Sequence, residues 1–296
     1  MSVQIAFIGF GEAGQTISRG LLGAGAPAIC SYDILFDDAS NAGRLKRTAE
    51  SIGVSVAVNH ADAVSNADIV FLAVTASSSL QAAQQCLPGL RKGQLFLDIN
   101  SVSPRRKIET AACISATGAS YVDVAVMAPV APYLHQVPCL IGGPGAAELL
   151  PRAQALGMKM ELVSDEVGQA SAIKMFRSIM IKGLEALMLE SMLAASEYRV
   201  EHRVLASLKE TFPSLDWEKL SGYFIERAVS HGKRRAAEML EVAETLRGIG
   251  IEPIMAAATA ARQQWIGDLR VKESLGGRKT EDRAELVGAI RKALGK

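Results

Sequence analysis

A doubly wound, mostly parallel α/β domain followed by an all-α domain is the fold class this sequence predicts. Three observations predict it. The chain opens on a short apolar run, a glycine-rich turn and an amphipathic helical pattern. Apolar runs and helical patterns then alternate as far as residue 163. From residue 164 onward the strand signal stops and only helical spacing remains. The length of 296 residues suits about two domains, which the pattern divides as 1–163 and 164–296.

The first unit of the pattern carries the most information. Val3 to Ile8 is the apolar run, and Gly9-Phe10-Gly11-Glu12-Ala13-Gly14 follows it at once. In such a turn Gly9 permits the sharp bend, Gly11 lets backbone approach a pyrophosphate, and Gly14 lets the helix lie close to the strand. The bare amides at the helix N-terminus then face the phosphate charge. A second strand, Ala28 to Tyr32, ends in Asp33, at the distance where an acidic residue meets the ribose hydroxyls. A dinucleotide-binding Rossmann domain is therefore expected, with Gly9, Phe10, Gly11, Glu12, Ala13, Gly14 and Asp33 on the cofactor. A carboxylate at Asp33 repels a 2′-phosphate and favours NAD over NADP. Arg44, Lys46 and Arg47 lie just downstream and keep NADP open, although they also read as the solvated face of a helix.

Further along, Leu35 to Asn41 is a polar loop beside the ribose, Arg44 to Ile52 a helix and Val54 to Val58 a third strand. Ile69 to Val74 is a continuous apolar run between polar turns, as in a strand buried on both faces. Val74 and Thr75 at its end are candidates for the cofactor. A helix over Leu80 to Cys86 stops at Pro88-Gly89, and Leu95 to Ile99 is the fifth strand. It runs into Asp98-Ile99-Asn100-Ser101-Val102-Ser103-Pro104, where Ser103 and Pro104 read as a cap and first turn. Tyr121 to Met127, Cys139 to Ile141 and Met160 to Val163 complete the strands. In a sheet of this kind ligands bind at the C-terminal strand ends.

The second half reads as helices over Glu166 to Arg199, Glu201 to Glu210, Trp217 to Ser230, Lys233 to Ile249, Pro253 to Leu269 and Glu281 to Leu294. Ser164 or Asp165 is the expected cap of the first. On that helix Ser171, Lys174 and Ser178 fall on one polar stripe among apolar neighbours. Two readings of Lys174 stand side by side. Partial desolvation suits a lysine to proton transfer, and a snorkelling lysine at a domain edge has the same sequence. His231, Arg234 and Arg235 form the densest polar cluster of this half. They can meet a substrate carboxylate or phosphate, or solvate a helix with Glu238 as partner of Arg234. His231 and Arg234 stay open as substrate-binding candidates.

Composition excludes several functions. The hydrophobic fraction is 49% and the formal net charge +1, so nothing points to nucleic acid or an anionic membrane. No apolar run reaches the roughly 18 residues needed to span a bilayer. The N-terminus enters a strand without a signal-like segment, and Cys30, Cys86, Cys113 and Cys139 show no metal-like spacing. The expectation is a cytoplasmic protein with reduced thiols and no metal. Apolar faces on the long helix, Ile179 to Leu193 especially, predict a homodimer.

These stretches resemble the β-hydroxyacid dehydrogenase superfamily, which includes 3-hydroxyisobutyrate and 6-phosphogluconate dehydrogenases. IAFIGFGEAGQTISRGL resembles its N-terminal fingerprint. Asp98-Ile99-Asn100-Ser101 resembles its D-x-S-T-type element, Asp123 to Pro129 its D-A-P-V-S-G-G substrate loop, and Gly168 through Lys174 to Ser178 its lysine-bearing helix. The resemblance spans the first 200 residues. His231 to Met239 and Gly250 to Pro253 resemble a branch with a phosphogluconate-dehydrogenase-like helical C-terminal domain. It implies that Lys174 is the general acid/base of hydride transfer between a nicotinamide and a hydroxy acid. It also implies that Asn100, Ser101, Met127, Ala128 and Ser178 bind substrate. Imine-reductase relatives usually replace this lysine. The sequence departs from the family at Met127-Ala128-Pro129, where Ser-Gly-Gly is usual and Pro129 has no amide to donate, and at Ser178, where asparagine is usual. An NADPH-dependent ketone or imine reductase and a non-catalytic dinucleotide-binding regulator remain the alternatives.

Overall fold

The structure, a computed structural model, describes residues 3–26 and 28–296. Met1 and Ser2, which the sequence reading counts in the first domain, lie outside the described residues. The chain divides into two compact units, Met1–Lys174 and Met175–Lys296. The sequence reading draws this boundary at residues 163 and 164, whereas the units part inside a helix.

The first unit alternates strand and helix. Its elements are β1 (Gln4–Ile8), α1 (Glu12–Gly23), β2 (Ala28–Tyr32), α2 (Ala42–Ile52), β3 (Val54–Val56), α3 (His60–Ser65) and β4 (Ile69–Leu72). Then come α4 (Ser79–Cys86), β5 (Leu95–Asp98), α5 (Pro104–Ser115), β6 (Ser120–Val126), β7 (Cys139–Gly142), α6 (Ala146–Ala155) and β8 (Met160–Ser164). The eight strands lie in the order β3-β2-β1-β4-β5-β6-β7-β8. β1 to β6 are parallel, β7 runs antiparallel to β6, and β8 is parallel to β7. Between β6 and β7 the chain makes a single 3-10 turn, Leu134–Gln136. Without a crossover helix it returns beside the strand it left. α6 has no counterpart in the sequence reading, because Pro151 inside it removes a helical donor and reads as a break.

β1, β4 and β5 form the spine of the core. Register sets Phe7 beside Phe71, and their rings stack with centroids 4.6 Å apart. Both are essentially inaccessible, and full burial of such a side chain stabilises by about 1.5–3 kcal/mol. Strand order reverses between β1 and β4. The two loops leaving these strands, at Gly9 and Ala73, therefore open a crevice at their C-terminal ends.

Helices are the only regular elements of the second unit among its described residues. It comprises the greater part of α7 (Gln169–Tyr198), then α8 (Glu201–Thr211), α9 (Trp217–Gly248), α10 (Ile254–Asp268), α11 (Val271–Ser274) and α12 (Arg283–Ala293). α9 corrects the sequence reading, which breaks it at His231-Gly232. A Cβ on Gly232 would lie 2.5 Å from the Gln263 carbonyl, and one on Gly267 2.7 Å from the Lys233 amide. Both glycines serve the close crossing of α9 and α10, and the helix absorbs the roughly 1 kcal/mol propensity cost of Gly232. No helix among the described residues is long and apolar enough to cross a membrane.

Candidate dinucleotide and proton-transfer site

The glycine turn has the conformation its three glycines suggest. Gly9 has φ +98°, and a Cβ there would lie 2.3 Å from the Ala73 carbonyl oxygen. A Cβ on Gly14 would lie 2.5 Å from the Gly9 carbonyl oxygen, so α1 rests directly on the turn. Gly11 differs, since a Cβ there would meet nothing within 4 Å. It is the N-cap of α1 and offers no side chain to the first-turn amides, which leaves them for an anion. Glu12 is exposed and Ala13 half-buried in that first turn. Phe10 is placed otherwise. Its ring is buried 5.7 Å from Phe36 and its amide donates to Asp33 at 2.6 Å.

Asp33 follows β2 and spreads its carboxylate over two amides, Phe10 at 2.6 Å and Leu35 at 2.9 Å. Each oxygen keeps a lone pair for a further donor. Asp37 and Asp38 follow at once. The surroundings are negative: a hydrogen bond to Asp37, with burial and the Asp37 and Asp33 charges, raises the Tyr32 hydroxyl to about 12. These residues fit a dinucleotide, with a bare helix end for pyrophosphate and a carboxylate for ribose hydroxyls.

Asn100 joins the loops beyond β4 and β5. Its Oδ1 accepts from the Val74 amide at 2.8 Å, and its Nδ2 donates to Asp98 at 2.7 Å. Thr75 and Ser101 are exposed, and Met127 and Ala128 half-buried. Beneath Asn100 lies a cluster that the sequence reading missed. Asp98, Lys107 and Asp123 are each fully buried. Lys107 Nζ lies 2.5 Å from the Asp98 carbonyl oxygen, 3.2 Å from its Oδ1 and 3.4 Å from Asp123 Oδ1. The Tyr121 hydroxyl donates to Asp98 at 2.8 Å. Burial, with the Asp98 charge and hydrogen bond, holds this phenol well above its ordinary value, so it remains a donor. The available signal was a lone aspartate in each of two otherwise apolar strands, whereas Lys107 stands among other charged residues of α5.

Asp123 also caps α7. Its carboxylate accepts from the Gly168 amide at 3.1 Å, the Ser171 amide at 3.0 Å and the Ser171 hydroxyl. The expected local caps are not used in this way: Ser164 accepts instead from the Glu166 amide. Ser171 is thereby turned to the sheet and leaves the polar stripe. Lys174, one turn on, is half-buried, as is Ser178. The Lys174 charge reaches Cys139 at the start of β7, whose thiol burial nevertheless pushes up to about 12.

His231 and Arg234 belong to the second unit. With Lys233, Arg270 and Lys272 they line an open cavity of about 480 Å³. Burial and the nearby Arg227, Arg234 and Arg235 charges lower His231 to about 4, so it is neutral at neutral pH. Arg234 donates to Glu238 at 2.6 Å. Deeper in this unit Glu185 meets Arg235 at 2.9 Å and Gln263 at 3.2 Å. Burial outweighs these partners and raises Glu185 from 4.5 to about 7. Between those two values the folded state holds a proton that the unfolded state has released, so this group's contribution to stability falls as pH rises. At 1.36 kcal/mol per unit the fall is at most about 3 kcal/mol. Glu185→Gln should flatten denaturation midpoints between pH 4.5 and about 7, and an unchanged slope would assign it to another group. Among the described residues no group of His, Cys, Asp and Glu could hold a metal ion.

Comparison with known proteins bears on the fold and the family. Residues 4–101 match a family model described as NADP oxidoreductase coenzyme F420-dependent, and residues 195–266 match a domain of unknown function, DUF1932. A conserved hypothetical protein from Sinorhizobium meliloti is 38% identical, with 99% of this chain and 97% of that chain covered and a TM-score of 0.85. A second conserved protein of unknown function, reported as structurally similar to 3-hydroxyacid dehydrogenases, is 28% identical. Coverage there is 91% of this chain and 99% of that one, with a TM-score of 0.77. The Mycobacterium tuberculosis 3-hydroxyisobutyrate dehydrogenase shares the fold, with 17% identity, 98% and 100% coverage and a TM-score of 0.74. By full-length likeness and by its two matched domains, this chain belongs to the β-hydroxyacid dehydrogenase superfamily, among the 3-hydroxyisobutyrate dehydrogenase-like proteins that join an NAD(P)-binding Rossmann domain to a helical C-terminal domain.

Proposed function

We propose that this chain is an NAD-dependent dehydrogenase that oxidises a small hydroxy acid or related polar alcohol, with Lys174 as general acid/base. The observation that carries the reading is the half-buried Lys174 one turn beyond the Asp123-capped start of α7. It shares a compact unit with the glycine turn.

In this reading the first-turn amides of α1, from Gly11 to Gly14, hold the pyrophosphate, and Asp33 accepts from the ribose hydroxyls. Val74 and Thr75 flank the cofactor. When bound, the nicotinamide supplies the hydride acceptor. Lys174 takes the substrate hydroxyl proton, and its ammonium stabilises the oxygen in the reverse direction. Asn100, Ser101 and Ser178 orient the substrate oxygens, with Met127 and Ala128 beside them. His231 and Arg234 are kept for an acidic group on the substrate, supported by the basic cavity they line.

The negative surroundings of Asp33 support NAD, whereas the match to a model described as NADP oxidoreductase favours the reductase alternative. Calorimetric titration of NAD(H) beside NADP(H) separates the two. NAD(H) should bind more tightly, and Asp33→Ala should weaken it by about 10-fold or more, the worth of a charged hydrogen bond. Preference for NADP(H), indifferent to Asp33, would put an NADPH-dependent carbonyl or imine reductase in its place. Binding without turnover of any hydroxy acid would leave the regulator.

A homodimer is part of the same reading. Met180 and Leu187 on α7 are 64% and 56% exposed and lie seven residues apart, on one face of the helix. Light scattering should give a dimer at micromolar concentration, and a monomer would remove this element.

A further inference from the structure

We propose that Lys107 is a positioning residue, which keeps Asp98 and Asp123 side by side so that Asp123 can hold the start of the helix that carries Lys174. The inference rests on the reading of Lys174 as the proton-transfer group.

Asp98 and Asp123 are register partners on neighbouring parallel strands, β5 and β6. Two carboxylates placed side by side in a dry interior repel strongly, and α5 inserts one ammonium between them. The remaining negative charge is met by six donors. Asp98 accepts from the Asn100 amide, Asn100 Nδ2 and the Tyr121 hydroxyl. Asp123 accepts from the Gly168 amide, the Ser171 amide and the Ser171 hydroxyl. So a single cation stands behind two arms. One arm ties Asn100 to Val74 beside the glycine turn, and the other ties α7 to the sheet.

The second arm leaves little tolerance, because Lys174 follows Ser171 by one helical turn. A shift of about 1 Å at the reacting group can cost on the order of 10²-fold in rate. Without the ammonium, repulsion from Asp98 loosens the grip of Asp123 on Gly168 and Ser171. Asn100 stands only two residues from Asp98 and keeps both its bonds to that carboxylate without the ammonium, so the first arm stays in place and cofactor affinity should be spared.

The test compares wild type, Lys107→Met and Lys107→Met/Asp98→Asn. The double variant keeps the buried net charge of wild type, and the carboxamide introduced by Asp98→Asn can still accept from Asn100 and donate to Tyr121. Lys107→Met should lower kcat about 100-fold while the hydroxy-acid KM and the NAD affinity change less than about threefold. Amide hydrogen exchange at Gly168 and Ser171 should quicken, with the β1 and β4 amides unaffected. The double variant should recover wild-type exchange at those two amides and kcat to within about fivefold. Should the single variant fail to fold, recovery in the double variant still supports the proposal, and loss of protection there overturns it. Unchanged kcat and exchange in Lys107→Met, or a hydroxy-acid KM that rises and an NAD affinity that falls in step with kcat, would also overturn it. If wild type oxidises no hydroxy acid, the proposed function fails, and exchange at Gly168 and Ser171 still decides whether Lys107 holds the helix.

Discussion

Lys174→Ala should lower kcat by about 10²–10⁴-fold, the usual worth of a positioned acid/base group, with NAD affinity by calorimetry changed less than about threefold. The lysine is one turn from the Asp123 cap and is half-buried, while the glycine turn lies at the opposite sequence end of the first unit. Lys174→Arg sharpens the result. A guanidinium keeps the positive charge but does not release its proton in a protein, so that variant should be about as slow as alanine if proton transfer is the role. Activity near wild type in the arginine variant would reduce Lys174 to an electrostatic anchor. Activity within tenfold of wild type in Lys174→Ala would move the acid/base role elsewhere.

The second large effect is structural. Gly9→Ala places a methyl 2.3 Å from the Ala73 carbonyl oxygen at φ +98°. Strained backbone and overpacking each cost about 1–3 kcal/mol. Together they should lower Tm by roughly 5–15 °C for a domain of this size, and dinucleotide binding should be lost with the turn. Gly11→Ala provides the contrast, because its methyl meets nothing within 4 Å. Thermal unfolding should then hardly move while dinucleotide affinity falls, if the pyrophosphate runs past Gly11 as proposed. Unchanged affinity in Gly11→Ala would show that this turn is not the pyrophosphate cradle.

These two predictions differ in how far they could be read before the fold was known. The sharp turn at Gly9 and the approach of Gly14 to it follow from local sterics within one strand-turn-helix unit, whereas the Ala73 carbonyl that crowds Gly9 comes from the distant β4 loop. The residues alone show Lys174 as a polar residue on an apolar helix with two readings open, and its acid/base role comes from the family resemblance. His231 stood open as a carboxylate- or phosphate-binding candidate, and burial with the nearby arginine charges lowers it to about 4, so it meets such a group without a charge at neutral pH. Ser171 looked like part of the polar stripe, yet its hydroxyl belongs to Asp123.

What the sequence by itself determined is everything whose cause is local. Strand and helix periodicities, the glycine turn, Asp33 at the end of β2 and the change to an all-helical second half were all legible, because neighbours within a turn or two settle them. Tertiary structure alone decided where the partners are distant. The cap of α7 comes from a residue 45 positions away. The β5–β6 register puts Asp98 beside Asp123, and only then does the need for a buried lysine arise. α9 continues through Gly232 because α10 crosses it there. In each case the physical reason is the same: the deciding contact is made by the approach of two separate elements, and neither element's own sequence carries it.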